Sequence, residues 1–295
     1  MSPVREQIST CVCCGAATIT YTRALKDGEQ GLLAACGDCG HLTIISPGPL
    51  DYGGEEYEAS YHGSRAPAKI FADAIPLARK RAAGMKSHLQ GARTLDIGCA
   101  AGSFLSAAME AGAACAEGME MNDELRAFVA RSHTAYKKFD QIPTSARFDI
   151  ITLFRVLEHI DDPLPFLRSV SELLAPGGLV VIDVPSSEML ALRHSTGDRR
   201  WFYHRAHRQY FTRRSIDQLM ARAGIRGEVF TSQDTGLVYC MDRMLDDGRY
   251  YRYVRLPLVA PLFIMAKLGG ERVFSRWAAS RGAGDALIFR GTQCK

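Results

Sequence analysis

The chain has 295 residues and a mass of 32.4 kDa, enough for one large domain or one domain with a small module. Hydrophobic residues make up 47% and charged residues 23%, which excludes a disordered chain, a collagen and a coiled coil. A formal charge of +4 is too small to argue for nucleic acid.

The first ten residues are polar and lack the apolar segment of a signal peptide. No run reaches the ~18 apolar residues of a spanning helix. A cytoplasmic location is therefore expected. Five of the nine cysteines lie in the first 39 residues, and that clustering points to a metal and not to disulfides. They form two Cys-x-x-Cys-Gly turns, Cys11–Gly15 and Cys36–Gly40. Zinc takes four soft ligands in a tetrahedron, and each turn offers two thiolates to one ion. Cys13 and His41 compete as ligands, and free thiols or a redox pair are the plainer reading. The matched spacing favours Cys11, Cys14, Cys36 and Cys39, as a structural site with no open position. Thr18–Thr22 and Leu32–Ala35 read as the strands of a zinc ribbon over residues 1–45. Residues 46–90 are expected to be a linker and a helix.

Thr94–Ile97 reads as a strand, followed by the turn Gly98-Cys-Ala-Ala-Gly102 and a helix from Ser103. This is the first β-turn-α of a doubly wound fold, in which ligands sit beyond the carboxyl ends of the strands. A second strand, Ala114–Met119, ends at Glu120, about 20 residues past the glycine turn, where an acid accepts from ribose hydroxyls. To this point the pattern means an adenosine-containing cofactor, with NAD still open. A further strand, Asp149–Phe154, leads to Leu157-Glu-His-Ile160. Pro163 opens a helix, Pro176-Gly-Gly ends it, and Leu179–Val184 is the next strand.

Segment 93–185, on Leu-Asp-Ile-Gly-Cys-Ala-Ala-Gly, Glu120, Phe-Asp-Ile-Ile, Leu-Glu-His-Ile and Leu-Ala-Pro-Gly-Gly, resembles a class I S-adenosylmethionine (SAM)-dependent methyltransferase. His207-Arg-Gln-Tyr-Phe-Thr, the cysteine turns and Tyr57-Glu-Ala-Ser-Tyr61 resemble a bacterial subgroup with an amino-terminal zinc ribbon, associated with sugar and surface-polysaccharide modification. The resemblance implies an α/β, Rossmann-like sheet of seven strands over residues 91–295. It implies a cofactor site made of Asp96, Gly98, Cys99, Ala100, Gly102, Phe104, Glu120, Met121, Asp140, Phe154 and Arg155. In that site Asp96 and the glycine loop hold the methionine end, Glu120 the ribose, Met121 and Asp140 the adenine. Asp140 also reads as a plain loop acid. Ala100 stands where the family usually has glycine, and it is expected to be tolerated with a negative φ.

Methyl transfer from a sulfonium needs mainly proximity and alignment, and a base only if the acceptor keeps its proton. His159 is a candidate base, or a residue that only fixes a turn. The loop Trp201–Arg208 is expected to cover the acceptor, with His204 and His207 as further candidates. Arg199, Arg200, Arg205 and Arg208 suit a phosphorylated acceptor. Thr212 is expected to cap a helix over Arg213–Ala223, stopped by Gly224. Ile225–Thr231 and Asp285–Arg290 read as the last strands. The insert at 241–279, with Arg249, Arg252 and Arg255 before Leu256–Leu268, reads as a buried helical pair or as a peripheral membrane contact.

The expected acceptor is a small anionic molecule such as a sugar nucleotide or glycan precursor, methylated at O or C. An RNA methyltransferase is disfavoured because Arg23 and Lys26 are the only basic residues at 11–45. Intact Asp96 and Glu120 argue against a non-catalytic SAM-binding protein, and Leu-Ala-Pro-Gly-Gly disfavours an NAD-dependent oxidoreductase.

Overall fold

Alternation of apolar and polar residues sets the amino-terminal strands. A computed structural model describes residues 10–26, 28–46, 65–189, 192, 202–203, 205–232 and 270–294. β1 (Thr18–Ala24) pairs antiparallel with β2 (Gln30–Cys36), from Thr18↔Cys36 to Ala24↔Gln30. β3 (Leu42–Ser46) follows on the other edge of β2.

The described residues divide into two compact units. One unit takes its residues from Met1–Gly48, Asp183–Leu219 and Glu228–Phe289. Its four-stranded sheet has the order β1-β2-β3-β9. The fourth strand, β9, is the short stretch Gln209–Tyr210, from far down the chain. Leu25, Leu33 and Ile44 pack there with Phe202, Tyr203 and Tyr210 in one buried cluster.

The other unit takes its residues from Pro49–Ile182, Met220–Gly227 and Arg290–Lys295. It opens with helix α1 (Pro67–Ala83), whose Pro67 stands where a missing N–H costs nothing, and the short α2 (Lys86–Leu89). Alternating strands and helices follow: β4 (Arg93–Ile97), α3 (Ser103–Glu110), β5 (Cys115–Met119), α4 (Asp123–Val129), β6 (Ala135–Tyr136), β7 (Phe148–Phe154) and α5 (Pro163–Leu173). Leu95, Ile97, Ile150, Ile151 and Leu153 are fully buried, as expected of parallel strands covered on both faces.

β8 (Leu174–Pro185), α6 (Arg213–Arg222), β10 (Ile225–Ser232), α7 (Glu271–Ser280) and β11 (Ala286–Gln293) complete the elements. The seven-stranded sheet has the order β10-β11-β8-β7-β4-β5-β6, and the fold is the expected Rossmann-like one. β8 begins five residues earlier than expected. Its first residues hold the anticipated turn: Pro176 precedes Gly177 at φ +79°, the arrangement of a type II turn. A Cβ on Gly178 would stand 2.9 Å from the carbonyl oxygens of both Ala175 and Phe148, so only glycine fits.

β4 pairs in parallel with β5 on one side and β7 on the other. Chain order therefore reverses at β4, and a crevice opens at such a switch point. Ile97 lies in register with Met119 and with Leu153, so three loops leave the same edge together.

Candidate cofactor site and cysteine cluster

Asp96 is the penultimate residue of β4 and 4% exposed. Its Oδ1 accepts from Thr152 Oγ1 at 2.7 Å, across the β4–β7 pair. Burial raises this carboxyl to about 7, against the opposing effects of the Thr152 hydrogen bond and the Arg81 charge. Asp96 thus stands near half-ionisation at neutral pH, and a cation placed beside it ionises it.

The next residues form a tight turn. Gly98 has φ +71°, and a Cβ there would lie 2.5 Å from Val156 Cγ2. Ala100 has φ +47°, contrary to the expected negative value. The reason is Glu120. Its Oε2 accepts from the Ala100 amide at 2.9 Å and its Oε1 from the Asn122 amide at 2.9 Å. The left-handed turn aims the Ala100 N–H at the carboxylate. That conformation costs about 1–2 kcal/mol in a non-glycine residue. A hydrogen bond to a charged acceptor, about 1.5–3 kcal/mol, offsets it. A carboxylate has about four acceptor sites, so these amides leave room for a ligand hydroxyl.

Gly102 (φ +81°) precedes α3. The Phe104 ring meets the Phe154 ring edge-on at 4.9 Å, and the Arg81 guanidinium lies 4.2 Å from the centre of Phe154. Arg155 follows at φ +61°. Cys99 is buried with its sulfur against Gly118, so its backbone, not its thiol, belongs to the turn. Met121 is 47% exposed beside Glu120. Asp140 is exposed on the 3-10 turn Phe139–Gln141.

The two cysteine turns repeat one geometry. Gly15 N donates to Cys11 O at 2.8 Å and Gly40 N to Cys36 O at 3.0 Å, with both glycines at positive φ. The sulfurs of Cys11, Cys14, Cys36 and Cys39 all lie within 4.8 Å of one another. Cys11–Cys39 is 3.6 Å and Cys14–Cys36 is 3.4 Å. Zinc–thiolate bonds of about 2.3 Å place tetrahedral sulfurs about 3.8 Å apart, so the four fit a zinc ion. Burial raises the Cys14 and Cys39 thiols, while the Cys13 thiol beside Cys11 lowers that residue to about 4. Four thiolates share such a volume only around a cation. Cys13 is fully buried and stands outside the four-sulfur group, and His41 Nε2 is engaged with Gln209 Oε1 at 2.9 Å.

A family described as a methyltransferase domain matches residues 68–228, more than half of the chain. This chain belongs to the methyltransferase-domain family. Among curated proteins, the ubiquinone biosynthesis O-methyltransferase of Pseudomonas aeruginosa (strain LESB58) is 34% identical over 110 residues, 33% of this chain and 46% of that protein. The enzyme of that name from Actinobacillus pleuropneumoniae is 36% identical over 107 residues, 31% of this chain and 45% of that protein. The chain thus spans less than half the length of these relatives. A solved SAM-dependent methyltransferase from Archaeoglobus fulgidus superposes with a TM-score of 0.52 at 15% identity, covering 81% of this chain and 98% of its own, and shares the fold.

His159 closes the 3-10 turn Leu157–His159 just after β7. Its Nε2 is 3.9 Å from Oε1 of Glu158, which is 1% exposed. His207 is half-buried, its ring 6.2 Å from that of Tyr210. His204, Trp201, Arg199, Arg200 and residues 241–269 lie outside the described residues. Arg208 was expected to serve an acceptor phosphate. It is 5% exposed and donates to the Ile45 carbonyl at 3.1 Å, so it braces the four-stranded sheet. Among the described residues, no helix is long and apolar enough to cross a membrane.

Sequence reasoning missed Thr152 and Arg81. Thr152 did carry a signal, as the one hydroxyl in the otherwise apolar run Ile150–Phe154. Arg81 carried none. It is one of several basic residues on α1, and only packing selects it for the ring of Phe154.

Proposed function

We propose that the chain is a SAM-dependent methyltransferase acting on a small anionic acceptor, a sugar nucleotide or related glycan precursor, at O or C. The observation that carries the cofactor reading is the pair of carboxylates on adjacent strand ends, Asp96 and Glu120, tied together through the turn Gly98–Gly102. When bound, SAM supplies a methyl group already activated by its sulfonium. Asp96 would hold the cationic amino-acid end, with the turn backbone packed beside it; the amides of Gly98, Cys99, Ala100 and Gly102 already donate within the protein. Glu120 would accept from the ribose hydroxyls, with Met121 against the adenine. Phe154, held edge-on by Phe104, would wall the site and exclude water. His159 and His207 are the candidates for taking a proton from an acceptor hydroxyl, as imidazoles that ordinarily titrate near neutral pH.

Cys11, Cys14, Cys36 and Cys39 would hold one structural zinc ion, with no open position for a substrate. The acceptor class rests on the subgroup resemblance. The relatives named for ubiquinone biosynthesis favour a second reading, O-methylation of an apolar ring acceptor. One experiment separates the two. Purified protein and methyl-labelled SAM are incubated with a cell extract split into anionic metabolites, lipid and nucleic acid. Label in the anionic pool supports the sugar-nucleotide reading. Label in lipid favours the ring acceptor, and label in RNA rejects both.

A further inference from the structure

The four-stranded sheet is completed by residues that follow His207 directly. Arg208–Thr212 runs antiparallel along Cys39–Ile45, and its polar groups are used there. Ile44 N donates to Arg208 O at 2.9 Å. Gln209 Oε1 accepts twice, from Thr43 Oγ1 at 3.0 Å and from His41 Nε2 at 2.9 Å. The Phe211 ring lies 5.0 Å from the His41 ring. Thr212 Oγ1 donates to the carbonyl of Cys39 itself at 2.6 Å. The fit is close as well as polar. Gly40 has φ +72°, and a Cβ there would lie 3.0 Å from the Thr212 methyl. Gln209, Tyr210 and Phe211 are all 2% exposed or less.

A buried amide oxygen that accepts from two donors is a specific link. Without it both donors lose their partner, His41 in a fully buried setting. Cys36–Cys39 is a short turn whose shape four-sulfur coordination would fix. Its last carbonyl and the ring two residues on are the atoms to which Phe211, Thr212 and Gln209 attach.

We propose that the cysteine cluster is the anchor that sets the position of the His207 segment, and that Gln209 is the positioning residue through which it acts. This rests on the reading of the chain as a methyltransferase whose His207 segment serves the acceptor.

The test uses the full zinc-loaded chain and a Gln209→Leu variant, which keeps the volume and removes Oε1. Four quantities are read: zinc content, affinity for S-adenosylhomocysteine, hydrogen exchange over residues 205–212, and the ring signals of 15N-labelled histidines. The His207 signal is assigned by its loss in His207→Asn. In Gln209→Leu, zinc and S-adenosylhomocysteine affinity are expected to stay at wild-type levels. Exchange over 205–212 rises about tenfold or more, and the His207 ring signal moves. Removing zinc from the wild type with a chelator gives the same two changes. Should Gln209→Leu not fold, Thr43→Val removes one of the two donors and gives the same pattern at lower amplitude. Unchanged exchange over 205–212 and an unmoved His207 signal after zinc removal would overturn the proposal. Absence of S-adenosylhomocysteine binding in the wild type would instead sink the methyltransferase reading, and the exchange data would still decide the anchor.

Discussion

Burial raises both Asp96 and Glu120, and hydrogen bonds oppose it in each. Glu120 receives two backbone amides, whereas Asp96 receives one hydroxyl inside a fully buried setting. Because the folded Asp96 holds its proton up to about pH 7 and the unfolded residue releases it near 3.8, this group favours folding below pH 3.8. That contribution is lost as pH rises through 7. In the ligand-free protein the loss amounts to about 4 kcal/mol at most. Asp96→Asn should therefore flatten the fall in urea stability between pH 5 and pH 8, while weakening S-adenosylhomocysteine binding at pH 8 by tenfold or more. Equal pH slopes in the two proteins would refute the assignment. Ala100→Gly should raise stability by about 1 kcal/mol, since glycine takes φ +47° without strain and keeps the amide aimed at Glu120. Gly98→Ala should do the reverse. Its methyl meets Val156 at 2.5 Å, and a loss of about 2 kcal/mol or more, with loss of ligand binding, is expected from thermal melts and calorimetry.

Each cysteine turn is a five-residue element whose closing glycine has positive φ, and the paired strands β1 and β2 bring the two turns together. The distinction between Cys13 and Cys14, one residue apart, is the sharpest test of this element. Cys14→Ala should abolish stoichiometric zinc. Cys13→Ala should keep one zinc per chain and lose only the packing of a small buried side chain, about 1 kcal/mol. Metal analysis of the two purified variants reads the difference directly. At this scale the sequence was largely legible. The spacing of the cysteines, the Gly-rich turn after β4 and the Pro163 helix start are local signals, each acting within a few residues. The cap of α6 is another: Ser215 N donates to Thr212 Oγ1 at 3.0 Å and Thr212 N to Ser215 Oγ at 2.9 Å, as a capping residue at Thr212 foretells.

Across the whole molecule the parallel sheet sets the chemistry, because the reversal of strand order at β4 is what gathers the loops after β4, β5 and β7. Binding that uses this edge must stabilise the native chain alone. S-adenosylhomocysteine at 100 times its Kd should add about 2.7 kcal/mol to the unfolding free energy in wild type, and less in Asp96→Asn at the same concentration. The chain's own order of residues determined the strands, the carboxylates at their ends and the pairing of the cysteine turns, because periodicity, turn chemistry and ligand spacing are written within short windows, while the family came from the resemblance of its motifs to known methyltransferases. Tertiary structure alone decided that Ala100 is left-handed, that Thr152 and Arg81 contact Asp96 and Phe154, and that Gln209–Tyr210 joins the amino-terminal sheet. Those outcomes depend on contacts between groups 20 to 168 residues apart. No local pattern records which of these contacts forms.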